Sequence, residues 1–123
     1  MNQNDLKQRT KRFALGIIQL VEAVPKSRSP DVLGRQLLRS GPSVGANYRA
    51  ACRARSAADF ISKMGIVEEE ADESIYWLEL LQECKLADFD KIKTLTNEAS
   101  ELLAITVASI RTARNNKKTV KSL

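Results

Sequence analysis

The sequence predicts an all-α protein, an antiparallel, left-handed up-and-down bundle of four helices. Three observations predict it. Ala, Leu, Glu, Lys, Arg and Gln dominate the 123 residues, and these are strong helix formers. Only 5 Gly and 3 Pro occur, too few for an all-β chain, which needs a turn every ~8–12 residues. Apolar residues recur at three- and four-residue intervals in four segments, bounded by capping signals. A chain of this length buries about two-thirds of its unfolded surface, so disulfide or metal staples are unnecessary.

The first helix is predicted at about 5–24, stopping before Pro25, with Leu6, Phe13, Ile17, Leu20, Val21 and Val24 as its apolar stripe. Lys7, Arg9, Lys11 and Arg12 ahead of Phe13-Ala14-Leu15-Gly16-Ile17-Ile18 mimic a secretory signal. Gln19 and Glu22 interrupt that apolar stretch and the helical spacing runs straight through it, which argues for a helix of the domain. No run approaches the ~18 apolar residues of a membrane span, and a cytoplasmic location is expected.

Ser29-Pro30-Asp31 reads as the second start signal: a capping hydroxyl, proline at the first helical position, then an acid at the positive end of the helix dipole. The second helix, about 30–54, carries Val32, Leu33, Leu37, Val44, Tyr48 and Ala51 inward. Gly41-Pro42 predicts a kink or short break between Ser40 and Ser43, because proline removes one hydrogen bond and crowds the preceding turn. Ser56-Ala57-Ala58-Asp59 reads as a capping box with Asp in place of Glu. It opens a third helix, about 57–85, with Phe60, Met64, Val67, Ala71, Ile75 and Leu78 inward. Asp88 caps the fourth, about 89–115, which carries Ile92, Leu95, Ala99, Leu102, Leu103, Thr106 and Ile110 and ends at Asn115-Asn116. Residues 1–116 thus form one domain, and 117–123 a basic, disordered tail. The connections are short, so successive helices are antiparallel neighbours. Cys52 and Cys84 fall at far-apart helix ends, beyond disulfide reach, and read as free thiols.

Charge is segregated on that frame. The start of the first helix, the end of the second, the start of the third and the end of the fourth share one pole. Thirteen basic residues gather there, including Lys7, Arg9, Lys11, Arg12, Arg49, Arg53, Arg55, Lys63, Arg111 and Arg114, against Asp5 and Asp59. Cations at the ends of the second and fourth helices complement the helix dipole. Lys7 to Arg12 sit at a helix start, where the dipole disfavours them. A concentrated basic surface is the electrostatic footprint of polyanion binding, and a solvated surface is the competing account. The acidic run Glu68-Glu69-Glu70-Ala71-Asp72-Glu73 on the third helix is explained in part by pairing across the second and third helices, with Arg39 facing Asp72 and Glu73.

Several chemistries lack their residues. The chain has no histidine, which removes the Glu-x-x-His pairs of di-iron bundles, histidine zinc sites and histidine-dependent triads. Gly41-Pro42-Ser43-Val44-Gly45 lacks the Lys-Ser/Thr of a phosphate loop and any preceding strand. Glu69, Glu70 and Glu73 could hold a hard cation, but helix surfaces often carry such runs without metal. No catalytic residue, metal or cofactor is implied, and the chain reads as a non-enzyme.

Gln36-Leu37-Leu38-Arg39-Ser40-Gly41-Pro42-Ser43-Val44-Gly45-Ala46-Asn47-Tyr48-Arg49, then Ala58-Asp59-Phe60-Ile61-Ser62-Lys63-Met64 and Glu70-Ala71-Asp72-Glu73-Ser74-Ile75-Tyr76-Trp77-Leu78, form a recognisable series. The chain resembles, over roughly residues 5–115, the four-helix-bundle family named for the protein encoded in intervening sequences of 23S ribosomal RNA genes. The resemblance implies a bundle assembled into a closed homo-oligomeric ring, typically a pentamer. It also implies an RNA or ribosomal association by genomic origin. A related basic bundle serves as an accessory protein of diversity-generating retroelements, engaging a reverse transcriptase and nucleic acid. This chain departs from the pattern at Ala50, where many members carry an acid, and at Glu69-Glu70-Ala71, where many have Lys-Glu-Ala.

The motif residues also have a structural reading. Ser43 and Asn47 lie one turn apart and line the bundle seam as hydrogen-bonding groups, while Asp72 and Glu73 belong to the second motif. Of Tyr76 and Trp77, one packs inward and the other fills a subunit interface, where aromatics are enriched. Two functions follow from the whole reading. One is a sequence-tolerant RNA- or DNA-binding accessory module using Lys7, Lys11, Arg12, Arg49, Arg53, Arg55, Arg111 and Arg114. The other is a scaffold that docks a partner protein, with no nucleic-acid role and no membrane contact.

Overall fold

The computed structural model describes the backbone of residues 1–122 and the side chains through Lys117. Four helices follow one another: α1 (Gln3–Ala23), α2 (Arg28–Cys52), α3 (Ala57–Glu83) and α4 (Phe89–Ser122), with no strand among the described residues. Each helix packs on its neighbours in the chain, and α4 returns to α1 over a smaller contact, while the backbones of the diagonal pairs stay farther apart. Paired residues fix the directions. Gly45 lies against Thr10, Gly41 against Ile17 and Gly34 against Val21, so α2 runs antiparallel to α1. Gly16 meets Leu95 while Arg9 meets Glu98 and Glu101, so α4 does the same.

The core is the inward stripe of each helix: Phe13 and Ile17, Leu37 and Val44, Met64, Val67 and Leu78, Ile92 and Leu102, all buried. Burying each of these large side chains contributes about 1.5–3 kcal/mol, which offsets the entropy of ordering the chain. Val32 does not join them and is 51% exposed. The inward stripe of α2 is Pro30, Gly34, Leu37, Gly41 and Val44, and Val32 falls on the opposite side of it.

Helix starts differ from the sequence reading in instructive ways. Asn2 caps α1 with a full capping box: its side chain accepts from Asp5 N–H at 2.9 Å, and Asp5 accepts from Asn2 N–H at 3.1 Å. Helix α2 begins two residues before the predicted Ser29 start, with Ser27 as N-cap and no side-chain bond there. Pro30 therefore occupies the third helical position, where its missing N–H still costs nothing, since the first in-helix acceptor bond is Asp31 N–H to Ser27 C=O at 3.0 Å. Ser56 caps α3 as predicted, accepting from Asp59 N–H at 3.1 Å. The reciprocal arm is displaced: the Asp59 carboxylate accepts from Arg55 N–H at 3.2 Å and from Lys63 Nζ at 2.7 Å, not from Ser56 N–H. Asp88 caps α4, accepting from Asp90 N–H and Lys91 N–H at 2.8 and 3.1 Å.

Two predicted helix boundaries are corrected. Helix α2 passes through Gly41-Pro42 without the predicted break. Proline forfeits only the bond to Leu38 C=O. Close packing holds the helix on both sides of the gap, with Gly41 pressed on Ile17, and Ser43 Oγ donates to Arg39 C=O at 2.5 Å. Helix α4 continues to Ser122 rather than ending at Asn115-Asn116. No Gly or Pro follows Asn116 to stop it. Leu123 and the side chains of 118–123 lie outside the described residues.

The α3–α4 joint is a Schellman turn. Leu86 N–H bonds to Leu81 C=O at 2.9 Å and Lys85 N–H to Gln82 C=O at 3.0 Å. Lys85 takes the left-handed position with φ 56°, where glycine is usual. Both cysteines are free thiols, Cys52 closing α2 and Cys84 capping α3.

Candidate nucleic-acid interface

The basic residues of the shared pole divide into captured and open sets. Arg9 is captured. Its guanidinium donates to Glu98 from both Nε and Nη2 at 2.7 Å and also pairs with Glu101, tying α1 to α4. The Glu98 hydrogen bond and the charge of both carboxylates raise its pKa further above the ordinary arginine value. Lys63 is bound to Asp59, one turn away on α3. Both stand at the basic pole, and both lie outside the set of residues expected to contact phosphate.

Arg39 is held in the same manner as Arg9. It pairs with Glu70 at 3.3 Å and with Glu73, spanning α2 to α3. The hydrogen bond to Glu73 and the charge of Glu70 raise its pKa. The predicted partner Asp72 is corrected: it lies exposed on α3, a third of a turn past the seam, and Glu70 takes its place.

The open set makes no ion pair among the described residues: Lys7, Lys11, Arg12, Arg49, Arg53, Arg55, Arg111 and Arg114. The fold brings five of these into two adjoining clefts. One lies between α1 and α2, about 390 Å³, with Lys7, Lys11 and Arg49 around a floor of Ala14, Pro42, Gly45 and Ala46. The other, about 470 Å³, lies at the α2–α3 turn and is lined by Ala50, Arg53, Arg55, Asp59 and Lys63. Arg12, Arg111 and Arg114 are exposed but line neither cleft. Among the described residues, Asp59 is the one carboxylate in either lining, and Lys63 and the Arg55 N–H already engage it. That engagement holds its carboxyl below the usual carboxylate range, the Lys63 hydrogen bond being the larger cause.

Ser43 and Asn47 are half-buried and bond along their own helix, Asn47 Nδ2 donating to Ser43 C=O at 2.8 Å. They do not bond across the seam as predicted. The buried polar contact between α2 and α3 is made by Ser40 and Ser74, whose hydroxyls lie 2.8 Å apart. Trp77 leans on the core with Nε1 donating to Glu73 at 3.3 Å, and Tyr76, 54% exposed, meets its ring edge-on with centroids 5.1 Å apart. Tyr48, buried beneath the basic end, has its hydroxyl pKa pushed up by burial and by the neighbouring Cys52. Among the described residues no group of three His, Cys, Asp or Glu could hold a metal ion. Among them, too, no helix is long and apolar enough to cross a membrane.

The family model described as 23S rRNA-intervening sequence protein matches residues 2–108. The chain belongs to that family. The intervening-sequence family match spans all of α1, α2 and α3 and most of α4, and so includes both clefts. A solved structure, a protein of unknown function from the S23 ribosomal protein family of Bacteroides thetaiotaomicron, is 35% identical. The match covers 90% of this chain and 99% of that one, with a TM-score of 0.82. No curated protein matches the chain. Neither description names a catalysed reaction.

Proposed function

We propose that this member of the intervening-sequence family is a non-enzymatic, sequence-tolerant nucleic-acid-binding accessory module that works as a homo-oligomer in the cytoplasm. One observation carries the reading: among the described residues, five cations without an ion pair converge on two adjoining clefts at one end of the bundle, whose linings hold a single, already engaged carboxylate. Such an arrangement attracts phosphates by charge. No aromatic side chain lines either cleft to stack on bases, so binding is expected to ignore sequence and to fall steeply with salt. Filter binding of random-sequence RNA and DNA at about 50 and 200 mM salt tests it, with a loss of orders of magnitude expected between the two. No retention at the lower salt would reject it.

Assembly into a ring, with the pentamer as the expected form, would repeat the basic end around an axis. Apolar side chains are exposed on three helices and are available to an interface: Leu15 and Ile18 on α1, Leu38 on α2, and Ile66 and Tyr76 on α3. Tyr76, with Trp77 behind it, remains the proposed interface pair. Light scattering that returned a monomer mass at micromolar protein would refute this part. The same exposed side chains support the alternative of a scaffold docking a partner protein. Copurification from lysate with and without nuclease separates the two: cargo lost on nuclease treatment supports the nucleic-acid reading, and cargo retained supports the scaffold.

A further inference from the structure

We infer that the α1–α2 cleft seats the sugar-phosphate backbone of a single nucleic-acid strand in preference to a duplex. The inference rests on the nucleic-acid reading above and adds the form of the ligand and its seat.

Lys7 and Lys11 stand one helical turn apart on one wall, a rise of about 6 Å, which is on the order of the step between successive backbone phosphates. Arg49 stands on the other wall. The floor is low because its residues are small. At Gly45 the helices come so close that a Cβ would lie 3.0 Å from Thr10 Oγ1. The Thr10 hydroxyl is already committed to Lys7 C=O at 3.0 Å, and the exposed Gln8 amide is the neutral side-chain donor that the lining keeps. The walls supply charge, and the cleft is lined by neither carboxylate nor aromatic ring.

Width decides between one strand and two. Packed helices lie about 8–10 Å apart axis to axis, so the groove between them is narrower than even the ~12 Å major groove of B-form DNA. A duplex is a rigid convex rod that reaches only the rim, whereas a single strand settles between the walls and meets Lys7, Lys11 and Arg49 together. Arg53 lies one turn beyond Arg49 on the same helix and lines the next cleft, which continues the cationic track past the first seat.

The test is fluorescence anisotropy of the full chain with labelled oligo-dT, oligo-dC and a mixed-sequence duplex, each of about 20 nucleotides or base pairs, at about 50 mM salt. Single strands are expected to bind about fivefold or more tighter than the duplex. Ala46→Leu leaves the charge unchanged and fills the cleft from an exposed helix position. It should weaken single-strand binding about fivefold or more and leave duplex binding within about twofold. Lys7→Gln with Lys11→Gln is the second variant should Ala46→Leu not fold, and it should lose single-strand binding likewise. Equal binding of strand and duplex, or a folded Ala46→Leu that binds single strands as wild type does, overturns the cleft as the seat while leaving a diffuse basic surface. Comparable affinity for oligo-dT and for an oligo-dC of the same length, which share a backbone and differ in base edge, supports backbone recognition, and a tenfold preference for either overturns it. Absence of binding by wild type to all three probes rejects the parent reading, and this one with it.

Discussion

Arg39 in the first half of α2, and Arg49 and Arg53 in and at the end of its second half, share a helix and a residue type. Arg39 meets two carboxylates presented by α3, Glu70 and Glu73, one turn apart on the facing side. Opposite Arg49 and Arg53, α3 has not yet reached its acidic run, and the one acid near its start, Asp59, is engaged by Lys63 and by the Arg55 N–H. What separates a structural arginine from an available one is therefore the antiparallel register of α3 against α2. The first half of α2, through Gly41, is also closely packed, with Gly34 on Val21, Gly41 on Ile17 and Ser40 on Ser74. The second half opens onto the two clefts. Substitutions in the first half should thus move stability and spare binding, and substitutions in the second should do the reverse.

The largest effect expected of that division is on binding. Arg53→Glu with Arg55→Glu should lower retention of RNA or DNA at about 50 mM salt by two orders of magnitude or more, with helical content and oligomer size unchanged by circular dichroism and size exclusion. Unfolding of this variant would show that the two halves are not separable. Next in size is Gly41→Val. A Cβ there would lie 2.9 Å from two carbons of the fully buried Ile17, so overpacking should cost about 1–3 kcal/mol in urea unfolding, while binding below the transition stays at the wild-type level. Arg39→Glu comes third. It places a third carboxylate beside Glu70 and Glu73 and should lower the urea midpoint more than Arg39→Ala does, again without loss of binding. An equal effect of Glu and Ala would mean that the like-charge contact is relieved by side-chain movement.

The smallest expected effect concerns Asp59. Its carboxyl sits below the ordinary value in the folded protein, chiefly through the Lys63 hydrogen bond. The unfolded chain therefore takes up that proton first as pH falls. The stabilisation is complete at neutral pH and drains away below about pH 4, through the ordinary aspartate value toward the folded one. Thermal midpoints measured against pH should show Asp59→Asn slightly less stable than wild type at pH 7 and indistinguishable from it at the acid end. The same substitution removes the only carboxylate from the clefts and should raise affinity for RNA modestly. An unchanged or weakened affinity would indicate that Asp59 chiefly positions Arg55 and Lys63.

Much of the fold was legible because apolar period and caps are local properties. Four helices, their order and most of the inward stripe follow from spacings of three and four residues. What escaped depended on contacts between distant residues or on helix rotation. Arg9 reads as a free cation until α4 is docked and brings Glu98 and Glu101, some ninety residues away, to its side. Ser40 and Ser43 are one turn apart, and only the rotation of α2 decides that Ser40 faces Ser74 while Ser43 bonds within its own helix. Pro42 was read by its local cost, which the packing of Gly41 outweighs. At the basic end, sequence identified the cations. It could not show that Lys7, Lys11 and Arg49 share a wall-and-floor cleft, because the floor is made of small residues that carry no signal except their size.

The lysine in the Schellman turn has its own consequence. A non-glycine residue held at φ 56° keeps about 1 kcal/mol of backbone energy in the α3–α4 joint. The joint closes the end of the bundle remote from Lys7, Arg49 and Arg53. Evolution thus has a reserve of stability there, one substitution away, that it can draw on without altering a single charge at the opposite end.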